Sequence, residues 1–126
     1  MNRSSRIAGD TALLMFIVAA AAFGAMFDTG DGGFSQQTHP LAWLGAQGVA
    51  RATLFNLCGF ALPGLLAAVA LWPLRPALPA GARWSARIGA QLVLLSAIAF
   101  AAQGVLPLDL QDMDGAASGL HAAAWT

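Results

Sequence analysis

Few residues in this 126-residue chain are equipped for chemistry, and most of them fall near its end. The stretch GVLPLDLQDMDGAASGLHAAAWT (104–126) carries Asp109, Asp112, Asp114 and His121, and the one other histidine is His39. Two imidazoles with carboxylates form a donor set that could hold a divalent metal such as zinc and activate a water for hydrolysis. On that reading His39, Asp109 and His121 are the catalytic candidates, and Asp112 and Asp114 join them as candidate metal ligands. The plainer reading is loop chemistry. Carboxylates in a short loop are solvated, and an aspartate just past a proline, as Asp109 is past Pro107, caps a turn.

Two sharper motifs fail on inspection. Asp112-Met113-Asp114-Gly115 matches the third to sixth positions of a calcium loop, but Leu110 stands at its first position and His121 where a bidentate glutamate is required. Asp28-Thr29-Gly30 resembles the aspartic-protease triplet, yet it follows an apolar helix and has no second copy to complete a carboxylate pair. The single cysteine, Cys58, sits inside an apolar stretch, so no intrachain disulfide and no multi-cysteine metal site can form. As a lone thiol there it is a small packing residue. No cofactor is called for beyond the divalent metal of the hydrolase reading.

The elements that must position these residues are set by composition. The chain is 58% apolar and 10% charged, with no lysine, glutamate or tyrosine and no net charge, which points to lipid as its surroundings. Six arginines spread over the whole length cannot neutralise a run of phosphates, so nucleic acid is excluded as a partner. Residues 11–27, 52–72 and 88–106 contain no charged side chain, and each approaches the length of about 17–25 residues that crosses a bilayer as helix. The expectation is an all-α, transmembrane helical bundle in one domain, with three spanning helices and a short fourth segment over 116–126. Asp10 and Thr11 stand where they could cap the first helix, and Pro63 should kink the second. Asn56, Gln91, Ser96 and Gln103 need partners in hydrocarbon and should face the bundle interior.

Arg3 and Arg6 precede the first span, Arg75, Arg83 and Arg87 lie between the second and third, and Arg51 alone falls on the other side. By the positive-inside rule the N-terminus is cytoplasmic, and residues 28–51 and 107–120 share the outer face with both histidines and five aspartates. Trp43, Trp72 and Trp84 fall near span ends, as an interfacial aromatic belt would have them. A secretory-signal reading, with NRSSR as basic region and Ala22-Phe23-Gly24 as cleavage site, competes for the first span and leaves the downstream topology unchanged.

His39-Pro40 with Leu44-Gly45-Ala46, Phe55-Asn56 with Gly59-Phe60 and Gly64, and Gly104, Pro107, Asp109 and His121 together resemble the DUF998 family of bacterial polytopic membrane proteins, a domain of unknown function. Ala42 stands where that family often carries serine. The resemblance covers most of residues 38–126 and implies a bacterial inner-membrane protein. It also implies that the chain is the N-terminal half of a fold of about six helices, with 116–126 starting a fourth. The readings it leaves are a structural or accessory protein that partners the lipid bilayer and other membrane subunits or further copies of itself, a membrane-embedded hydrolase, and a fragment of a small-molecule transporter.

Overall fold

The computed structural model describes residues 3–27, 35 and 37–124. Its helices are α1 (Arg3–Phe27), a 3-10 turn (Leu41–Gly45), α2 (Ala52–Phe55), a π-helical segment (Asn56–Ala61), α3 (Leu62–Leu71), α4 (Leu74–Ala77), α5 (Trp84–Gln103) and α6 (Ala116–Ala123). Among the described residues there is no strand. Arg3–Met26, Ala52–Ala77 and Trp84–Gln103 are each long and apolar enough to cross a membrane.

Which residues face inward identifies the solvent these helices are built for. In α1 the buried positions are Ser5, Ala12, Ala19 and Gly24, while Leu13, Leu14, Ile17 and Val18 point outward. In α5 the inward series is Ala90, Leu94, Ala97 and Ala101, and Leu92, Val93, Leu95 and Ile98 are exposed. A bundle folded in water does the reverse. Small residues inside and large apolar ones outside is the pattern of helices that pack by close backbone approach and leave their bulk to lipid. Gly64 is the tightest such point, since a Cβ there would lie 2.5 Å from the Ala101 nitrogen.

The three spans alternate in direction. Gly9 lies against Ala70 at one end of the bundle, and Phe23 packs edge-on to Phe55, 5.3 Å between ring centres, toward the other. Rings continue from Phe55 to Phe60, Phe100 and Phe16 at 5.3–5.5 Å, so one series of aromatic contacts joins all three spans. Arg3, Arg6, Arg75, Arg83 and Arg87 therefore gather at one end, and the 3-10 turn, Arg51 and the aspartates after α5 at the other.

Several boundaries depart from expectation. α1 begins at Arg3 and not near residue 11, so Asp10 and Thr11 are exposed residues inside the helix and cap nothing. α5 begins at Trp84 and ends at Gln103, after which Gly104, Val105 and Leu106 continue as turns bonded to Ala101 and Ala102. The physical reason is common to both starts: an uncharged run marks where hydrocarbon is crossed, whereas a helix propagates through polar flanks because that keeps its backbone groups paired. Pro63 follows the π-helical segment closely. The Leu62 amide bonds the Leu57 carbonyl five residues back, and this widened turn accommodates a ring that would collide with the carbonyl four back in a regular helix. Gln91 and Ser96 face outward, against expectation. The Ser96 hydroxyl is satisfied within its own helix by the Leu92 carbonyl at 2.9 Å, and Gln91 lies close enough to the arginine end for its amide to reach toward the interface.

Candidate functional site

The residues with chemical capability lie at the end opposite the arginine cluster, where the segment before α2 and the segment after α5 are tied together by the Gln47 amide donating to the Leu108 carbonyl at 2.8 Å. The 3-10 turn is held onto the bundle from below. Asn56, 7% exposed, donates through Nδ2 to the Gly45 carbonyl at 2.8 Å, and its carboxamide occupies the space that any side chain at position 45 would need. Leu44 and Phe55 close the same core.

Ser118 organises the acidic segment. Its hydroxyl accepts from the Asp109 amide at 3.2 Å and directs its proton between the carbonyls of Asp109 and Asp112, 3.0 and 2.9 Å away. The Asp109 carboxylate receives the Gln111 amide at 3.0 Å, an aspartate turn of the kind expected just past a proline. Asp112 and Asp114 are exposed, with the Asp112 carboxylate lying over Gly115 at the start of α6.

The two histidines are in different settings. His39 is half-buried, accepts the Ser35 amide on Nδ1 at 3.0 Å and stacks beside Trp43 with 5.2 Å between ring centres. His121 is 5% exposed and its Nδ1 lies 2.6 Å from the Leu106 carbonyl. A carbonyl only accepts, so Nδ1 carries the proton, and in the neutral ring Nε2 is a bare lone pair. That Nε2 is buried with no hydrogen-bond partner, as is Oε1 of Gln103, which is 2% exposed.

The structure thus brings His39, Asp109, Asp112, Asp114 and His121 to one end of the bundle. Among the described residues no group of three or more histidine, cysteine or acidic side chains is arranged to hold a metal ion, and the carboxylate of Asp109 serves a turn. Asp28, Asp31 and the Asp28-Thr29-Gly30 triplet lie outside the described residues. Sequence reasoning passed over Ser118, the hub of the segment, although its place three residues before His121 puts both on one face of a short helix. Comparison with family models, with curated proteins and with solved structures finds no match to this chain.

Gln103 provides a test of how this end is held together. A buried acceptor without a donor costs about 1–3 kcal/mol, so Gln103→Leu should raise thermal stability in detergent, by on the order of 1 kcal/mol. A lower melting temperature would show instead that the amide is satisfied within the folded bundle.

Proposed function

We propose that the chain is a structural or accessory helical bundle of the bacterial inner membrane, with its N-terminus in the cytoplasm and no catalytic step of its own. The observation that carries this reading is the burial pattern: in the first and third spans mostly small residues turn inward and large apolar ones outward, the second turns Phe55 and Phe60 into the aromatic core beside Gly59, Gly64 and Ala70, and the polar side chains at the acidic end are engaged mainly with backbone. Exposed faces such as that of Leu13, Leu14, Ile17 and Val18 suit lipid, helices of other membrane subunits or further copies of this chain. A transporter would be expected to carry polar groups at mid-depth. Among the described residues the two buried amides, Asn56 and Gln103, both stand near the same end of their spans. The resemblance to DUF998 proteins agrees in kind with this proposal.

One observation favours the hydrolase as a second reading. An imidazole whose Nδ1–H is fixed by a backbone carbonyl and whose Nε2 lone pair is free is set as a metal ligand or base, and His121 has that arrangement.

One experiment addresses both. With Cys58 changed to serine, Ala80→Cys should resist membrane-impermeant maleimide on intact cells and Met113→Cys, on the exposed acidic loop, should label. In the purified protein zinc should leave the melting temperature where it was. Labelling at position 80 overturns the orientation, and a zinc-dependent rise that His121→Asn abolishes replaces the structural reading with the metal one.

A further inference from the structure

At the arginine end a cavity of about 380 Å³ opens between the residues following α3 and the first turns of α5, lined by Arg75, Leu78, Trp84, Arg87, Ile88 and Gln91 among others. Its composition is divided. Arg75 and Arg87 supply two guanidinium groups and Gln91 an amide, while Leu78, Ile88 and the indole of Trp84 supply an apolar wall. Both arginines are partly fixed in place. Arg87 donates from Nη2 to the Ala80 carbonyl at 2.7 Å, leaving its other N–H groups free to bind, and Arg75 lies over the Trp72 ring, 5.4 Å from guanidinium carbon to ring centre. No acidic residue occurs between Asp31 and Asp109, so the elements that build the cavity bring no counter-charge of their own. The Trp72 and Trp84 side chains are exposed, at 60% and 76%, beside the ends of two apolar spans, which is where indoles meet a headgroup layer.

Two planar guanidinium forks facing one cavity are suited to the oxygens of a phosphate. The apolar wall settles which phosphate. A free anion gains nothing from Leu78, Ile88 and Trp84, whereas a phospholipid places its phosphate between the arginines and its glycerol and upper acyl chain against that wall. We infer that this cavity is a binding site for the headgroup of an anionic phospholipid, with Arg75 and Arg87 as its phosphate ligands and Trp84 as its interfacial edge. The inference rests on the membrane-spanning part of the proposed function and not on the orientation, because anionic lipid can be supplied to either leaflet. Cysteine accessibility and lipid binding can therefore fail separately.

The full chain is reconstituted in phosphatidylcholine vesicles doped either with brominated phosphatidylglycerol or with brominated phosphatidylcholine, and tryptophan quenching is measured. The phosphatidylglycerol should quench at lower mole fraction, and the preference should fall roughly fivefold for each arginine replaced in Arg75→Gln and Arg87→Gln. Trp84→Phe should remove most of the preferential quenching, whereas Arg3→Gln with Arg6→Gln, the same loss of charge at the same end but outside the cavity, should leave the preference in place. Equal losses in the two arginine pairs would mean diffuse attraction to an anionic surface and would overturn the site. Relief of quenching by millimolar inorganic phosphate would assign it to a free anion and overturn the lipid. Arg75→Gln alone, at an exposed side chain, decides the matter if the double variant misassembles.

Discussion

Gly64→Val is expected to abolish assembly of the three spans. At position 64 the second and third spans leave no room for a side chain: a Cβ would stand 2.5 Å from the Ala101 nitrogen and 2.6 Å from its Cα and Cβ. The obstacle is backbone, which cannot rotate aside as a side-chain terminus can. Overpacking of a filled interface costs typically about 1–3 kcal/mol, and alanine at position 64 should already cost that much. Valine adds two methyl groups to the same collision and should leave no cooperative melting transition by circular dichroism in detergent. Gly89 is the control. Nothing lies within 4 Å of a Cβ built there, so Gly89→Ala should be neutral or stabilising, by up to about 1 kcal/mol from helix propensity. Equal behaviour of the two alanine variants would refute the close approach of the spans.

The second large effect is expected at Asn56. Its Nδ2 is the donor that holds the Gly45 carbonyl, and through it the 3-10 turn, to the core. Asn56→Asp keeps the size, removes the donor and places a carboxylate against a carbonyl oxygen in a buried position. The loss should exceed the 1–3 kcal/mol or so of one orphaned acceptor, because the new charge is unpaired as well. Asn56→Leu should fall within that range. The readout is a lowered melting temperature in both, with faster amide exchange at Ala46 and Gln47 as the turn detaches. Unchanged exchange at those amides would show that the turn is held by Leu44 and Phe55 alone.

The three spans were legible in the sequence because hydrocarbon imposes one requirement, an uncharged run of sufficient length, which residues 11–27, 52–72 and 88–106 meet. Helix limits were not, because what happens to Arg3–Asp10 or to Trp84–Arg87 is decided by backbone hydrogen bonding outside the apolar layer, where composition no longer discriminates. Polar residues divided in the same way. Asn56 and Gln103 are both buried, Asn56 with the Gly45 carbonyl as partner and Gln103 with its Oε1 unpaired, but Ser96 can satisfy itself on the Leu92 carbonyl, so its polarity carries no information about which side it faces. Proline at position 63 announces a lost hydrogen bond, but the wider turn that precedes it depends on packing that a linear pattern does not record. At the acidic end the sequence marks the reactive side chains, His39, Asp109 and His121, but not their partners. Three of those partners, the Ser35 amide, the Gln111 amide and the Leu106 carbonyl, are backbone groups that carry no signature of residue type.

The uneven placement of charge has an electrical consequence. Among the described residues, five arginines against Asp10 stand at one end of the bundle, and Asp109, Asp112 and Asp114 against Arg51 stand at the other. The molecule is a dipole along the direction of its spans. In the proposed orientation its positive end lies on the negative side of an energised membrane, where each elementary charge is worth about 2.3 kcal/mol per 100 mV. The voltage across a living membrane then holds the bundle in the same sense as its arginines do during insertion, and a flipped copy would stand against both.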